Sequence, residues 1–288
     1  MSTSILTSPA ETSSPGQRDA DDVRLTFPRV VRSEWIKFRT LRSTIWTLAI
    51  TLVLMVGIVT LYSAILASQA GAAESTSADG GSVAVFMIAA GIAQLAVTVL
   101  GVLVITGEYT TGMIRSTLAA VPQRLPALWA KGVVLATSIF VVSTVAVGIS
   151  LIVMQLFLGA DRLAPNLGDA ETVRILVGTS LYLTAIALFA FAIGAILRHS
   201  AGALATVLGL LLVIENLFLI PWKPLQVLSP FLPGTAGFKI MTPQVQIDAM
   251  SQGAVGAVLG PWQGFAVLIA WVAVLLTAAA VLLRRRNA

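Results

Sequence analysis

Six long apolar runs separated by short polar stretches organise the chain from residue 44 to residue 283. A helix crosses a bilayer with about 20 apolar residues, because only a helix or a closed barrel satisfies its own backbone in lipid. The runs therefore predict an all-α polytopic membrane protein with six spans at about 44–67, 83–106, 127–158, 173–197, 201–220 and 262–283. Ahead of them, RVVRSEWIKFRTLRS (29–43) is amphipathic at helical spacing. Val31, Trp35, Phe38 and Leu41 share one face, and Arg32, Lys37, Arg39 and Arg42 supply positive charge. That predicts an interfacial helix with Trp35 at headgroup level and the cations against anionic lipid; the alternative is a plain basic flank to the first span.

Between the second and third runs, Glu108 to Lys131 (EYTTGMIRSTLAAVPQRLPALWAK) is polar and too amphipathic for a simple hairpin. After Gly112, Ile114, Leu118 and Val121 recur at helical spacing, with Arg115 and Ser116 on the other side. Thr110 and Thr111 are placed to cap that helix, Pro122 to stop it, and Pro126 to begin the next one. The segment is expected to dock a protein partner in the cytoplasm, against the plainer reading of an ordinary helical loop.

The fifth connection, Pro221 to Pro261, is too apolar for a free loop and too rich in proline for another span. It predicts either re-entrant helices, bracketed by Trp222 and Trp262, or a cap lying on the surface. In the fifth run, Glu215 and Asn216 are the most polar intramembrane pair. A carboxylate there is costly, so it would line a translocation path or cap the re-entrant helix that follows. Gln94 and Gln155 suit packing hydrogen bonds, and Ala190 and Gly194 suit close helix approach.

Composition agrees with the pattern: 57% of residues are hydrophobic and only 11% charged, with a mean hydropathy of +0.92. The net charge of +5 follows topology and calls for no nucleic-acid partner. Of 18 Lys and Arg, seven precede the first span, three lie in the Glu108–Lys131 segment, one in the fourth connection, and three end the chain. Fourteen on one side predict cytoplasmic N- and C-termini. Residues 1–28, rich in Ser, Thr, Pro and acids at their start, are expected to form a disordered cytoplasmic tail and no signal peptide, leaving 29–288 as the transmembrane domain.

Catalytic chemistry finds little support. There is no cysteine, and His199 is the single histidine, so a triad or a multi-histidine metal site cannot be built. Asp161, Asp169 and Glu171 lack a compact ligand spacing, so no metal site is expected. No GxxxxGK[ST] motif is present, so any ATP-driven step would need another polypeptide.

The run GEYTTGMIRSTLAAVPQR, with RSEWIKFRTLRST entering the first span, resembles the membrane subunits of bacterial ATP-binding-cassette transporters of the type-2 exporter permease family. The resemblance covers most of the chain after residue 28. It implies a bacterial cell-membrane permease pairing with a second copy, as homo- or heterodimer, above two separate ATPase subunits that bind ATP and Mg. By position, Glu108, Tyr109, Gly112, Arg115 and Leu118 would form the ATPase-docking elbow, and Glu215 and Asn216 the outer part of the fifth helix. Export of a hydrophobic or amphipathic compound is the function implied. A secondary transporter or channel, or a non-transporting scaffold subunit, are the alternatives.

Overall fold

The computed structural model describes residues 26–69, 78–110, 124–158, 165–218, 220, 223–252 and 256–285, and these are helical with short turns between. The expected helix from Gly112 to Val121, the N-terminal tail to residue 25 and Trp222 lie outside the described residues. We number the helices α1 (Phe27–Thr40), α2 (Arg42–Gln69), α3 (Ala78–Thr110), α4 (Arg124–Leu158) and α5 (Ala170–Leu197). α6 follows over Ser200–Leu217, then α7 (Lys223–Leu228), α8 (Pro233–Phe238), α9 (Gln244–Ser251) and α10 (Pro261–Arg285). Six of them, α2 to α6 and α10, are long and apolar enough to cross a membrane, so the chain is a multi-pass membrane protein.

The most buried helix is α5, with α3, α4, α6 and α10 packed around it and α2 resting on α3 and α4. Small residues make that centre possible. A β-carbon on Gly101 of α3 would overlap the Ala187 carbonyl oxygen of α5, and one on Gly194 would press into Ile105, 2.8 Å away. The Ala190 and Gly194 stripe read from the sequence is thus the α5 side of its tightest helix contact. Gly101→Ala is expected to force α3 from α5 and to lower stability by about 1–3 kcal/mol, read as a drop in thermal midpoint in detergent. An unchanged midpoint would mean that the two backbones do not approach this closely.

Several buried hydroxyls inside the bundle are satisfied within their own helix. The hydroxyls of Thr51, Ser63, Thr106, Ser138 and Thr179 each donate to the carbonyl one turn back, which lets them sit in an apolar setting without an interhelical partner. Gln94 accepts from the Tyr182 hydroxyl at 2.6 Å, a packing bond between α3 and α5, whereas Gln155 is exposed and donates to the Pro165 carbonyl of the following turn at 3.1 Å.

Two expectations need correction. α3 continues to Thr110, so Glu108 and Tyr109 belong to the last turn of the second span and not to the connection after it. The Thr110 hydroxyl donates back to the Gly107 carbonyl at 3.0 Å, and the helix it was expected to cap lies outside the described residues. α1 begins at Phe27, inside the stretch assigned to the tail, and its inward face is Val30, Glu34 and Phe38, while Trp35 and Leu41 are exposed. Hydropathy places Glu34 outward, but a cation waiting on α4 reverses that preference.

Candidate functional site

α3 and α4 are 33 and 35 residues long, about 50 Å each at 1.5 Å per residue, and so exceed a hydrocarbon core of about 30 Å. Their surplus length, at the end where α1 crosses α4 and the start of α2, carries a cluster of four ionisable groups. Lys131, seven residues into α4 and 5% exposed, donates to Glu34 of α1 at 2.5 Å and to Glu108 of α3 at 2.6 Å. Lys37 of α1 also donates to Glu108, at 2.9 Å, and lies 3.6 Å from Glu34. Two carboxylates and two ammoniums thus join three elements that are far apart in sequence.

The cluster is electrically neutral, which makes its burial tolerable: an isolated charge at this depth would lose its hydration with nothing in return. Burial lowers the proton affinity of Lys37, but the hydrogen bond and charge of Glu108, helped by Glu34, outweigh it and hold the ammonium above the usual lysine value. The pairing is lopsided. Glu108 Oε1 accepts from both lysines, whereas its buried Oε2 has no hydrogen-bond partner among the described residues.

Tyr109 faces the other way. Arg198 lies over its ring, 5.3 Å from the centroid, tying the end of α3 to the turn between α5 and α6. Arg198 holds that turn with φ of 56°, and the His199 ring accepts from the Gly202 N–H at 3.0 Å, capping α6. The two adjacent residues at 108 and 109 therefore hold α1 and α4 on one side and the α5–α6 turn on the other.

Of the remaining predicted site residues, Gly112, Arg115 and Leu118 lie outside the described residues. Arg39 and Arg42 are exposed, as is Trp35, and Lys37 turns to the carboxylates instead of outward. Glu34 and Lys131 were missed as site residues. The signal for Lys131 was present: a lysine inside an apolar run needs a partner.

A second polar site sits at the opposite end of the bundle. Glu215 is 8% exposed; one oxygen accepts from the Gly234 N–H at 2.6 Å, the other from the Thr235 N–H at 2.6 Å and its hydroxyl at 2.9 Å. It caps α8, one of the two roles read for it. Asn216 does not join it; that side chain is exposed and donates to the Leu212 carbonyl of its own helix. Just before Glu215, residues Gly209–Ile214 widen into a π turn. Ala203, Val207, Leu211 and Glu215 recur every four residues, a spacing that drifts about 40° per step on an α-helix. The wider turn removes that drift and keeps all four buried.

The capped segment folds back between the long helices. Phe238 meets the Tyr182 ring edge-on at 5.4 Å, and Tyr182 lies twelve residues into α5, about 18 Å along it. Gly237 and Gly264 permit this: a β-carbon on the first would overlap Leu268, and on the second the Ala236 carbonyl. Arg174 donates to the carbonyls of Ile240 and Thr242 at 2.8 and 3.0 Å, and Glu171 accepts from the Gln244 N–H at 2.7 Å, closing the far edge. Asp169 caps α5 through the Thr172 N–H, which holds its carboxyl below the usual range.

No protein-family model matches this chain, and no curated protein matches it either.

Proposed function

We propose that the chain is the membrane subunit of an ATP-binding-cassette exporter, with termini and the ion cluster on the cytoplasmic side of a bacterial cell membrane. The observation that carries the reading is the Glu34–Lys37–Glu108–Lys131 cluster. It bonds α1 to the helix ends on both sides of residues 111–123, the connection whose sequence suits docking to a partner protein. A push on that connection, delivered by a separate ATPase binding ATP and Mg, would be passed as one unit to α1, α3 and α4. Through Tyr109 and Arg198 it would also reach α6. A second permease copy would complete the path, and α8 with its neighbours would form the re-entrant outer closure.

The test is a pull-down of the tagged chain in mild detergent, comparing wild type with Arg115→Glu and Leu118→Asp. The expected outcome is a P-loop ATPase recovered with wild type and lost with both variants. Failure to recover any ATPase with folded wild-type protein would remove the exporter reading.

A further inference from the structure

The segment that folds back near Glu215 ends in α9, whose hold on the bundle is slight. Ile247 is its one buried side chain, and Glu171 takes the Gln244 N–H at its start. Towards its far end the link is a single unusual bond: the Lys239 ammonium, on the turn after α8, donates to the Met250 sulfur at 3.1 Å. The Lys239 stem packs on α10, 2.9 Å from where a β-carbon on Gly264 would stand. A thioether is a weak acceptor for an ammonium. Burial lowers the proton affinity of Lys239, with no carboxylate among the described residues to oppose it. A stronger acceptor at the Met250 sulfur would therefore tighten the link.

Met250 is also the methionine best placed to acquire one. Of the seven methionines, Met1 and Met113 lie outside the described residues. Met55, Met154 and Met241 are fully buried and Met87 is partly so, whereas Met250 is 54% exposed, among exposed Asp248, Ser251 and Gln252. We propose that Met250 is a site of reversible oxidation, where a peroxide makes the sulfoxide and the new oxygen takes the Lys239 bond, fastening α9 to the closing segment. A sulfur lone pair forms the S–O bond as the peroxide O–O bond breaks, and the released hydroxide takes the proton left on the transferred oxygen and departs as water. Sulfur loses two electrons and the peroxide gains them; two thiols reverse the step, giving a disulfide and water. The exposed Met250 side chain has room to turn its oxygen to the ammonium. The site requires no ATPase and no transport, so it stands or falls apart from the export reading.

The full chain in detergent would be treated with hydrogen peroxide, with each methionine followed by peptide mass spectrometry and opening of α9 by amide hydrogen exchange. Met250 is expected to oxidise about tenfold faster than Met55, Met154 or Met241, as exposure dictates. Exchange across α9 should then slow about tenfold, the effect of one added hydrogen bond to a charged group. Methionine sulfoxide reductases for both epimers, with a dithiol, should restore the original rate. Met250→Leu should show no slowing on peroxide treatment, and Lys239→Leu should oxidise at Met250 without slowing. A buried methionine oxidised first, α9 exchange unchanged or faster in the oxidised wild type, slowing that the reductases do not reverse, or slowing that persists in either variant would each overturn the proposal. If Lys239→Leu fails to fold, wild type against Met250→Leu decides.

Discussion

Replacing Lys131 with methionine is expected to destabilise the protein by about 3–5 kcal/mol, the range for a buried ion pair that loses one partner. The side chain fills nearly the same space, so the effect isolates charge from packing. Two buried carboxylates, Glu34 and Glu108, would be left with only the half-exposed Lys37 between them. Chemical unfolding in mixed micelles would read the loss. The second substitution in Lys131→Met with Glu34→Gln should recover part of it, since one carboxylate and one ammonium then remain paired. A single variant as stable as wild type, or a double variant worse than the sum of its parts, would show that the cluster does not hold α1 to α4.

Glu215→Leu should free the segment that folds back between α5 and α10. It removes the acceptor for two N–H groups and a hydroxyl, and each orphaned buried donor costs about 1–3 kcal/mol. Because the chain has no cysteine, a single cysteine placed at Met241 reports this opening directly. Met241 is fully buried, and maleimide labelling there should be slow in the parent and much faster with Glu215→Leu. Glu215→Gln, which keeps one acceptor oxygen, should fall between them. Unchanged labelling would assign Glu215 to something other than the cap, a translocation path foremost.

Where hydropathy decides a position, the chain was readable. The six runs became the six long helices with ends moved by a few residues, because length and apolarity follow from the bilayer alone. Glycine and alanine spacing on α5 likewise announced its close packing. The ion cluster was not readable. Glu34 looks like an outward residue of a basic amphipathic helix, and Glu108 like the first residue of a polar connection. Neither position indicates that a lysine on a third helix lies within 2.6 Å of both. Residues 34, 108 and 131 are brought together only by helix packing.

Glu215 illustrates the same division. Its place in an apolar run marked it as needing a partner, and two roles were open. The choice came from α8, whose N–H groups arrive at the carboxylate only when the fifth connection folds back, and from a π turn that no spacing rule signals. The sequence by itself determined what one-dimensional rules can measure: that the chain is helical, that six of its runs are long and apolar enough to cross a membrane, and which polar residues stand out of place. Tertiary structure alone decided which of those residues meet, because buried charges and backbone donors are matched through contacts between distant helices, and such matching leaves no local periodicity to read.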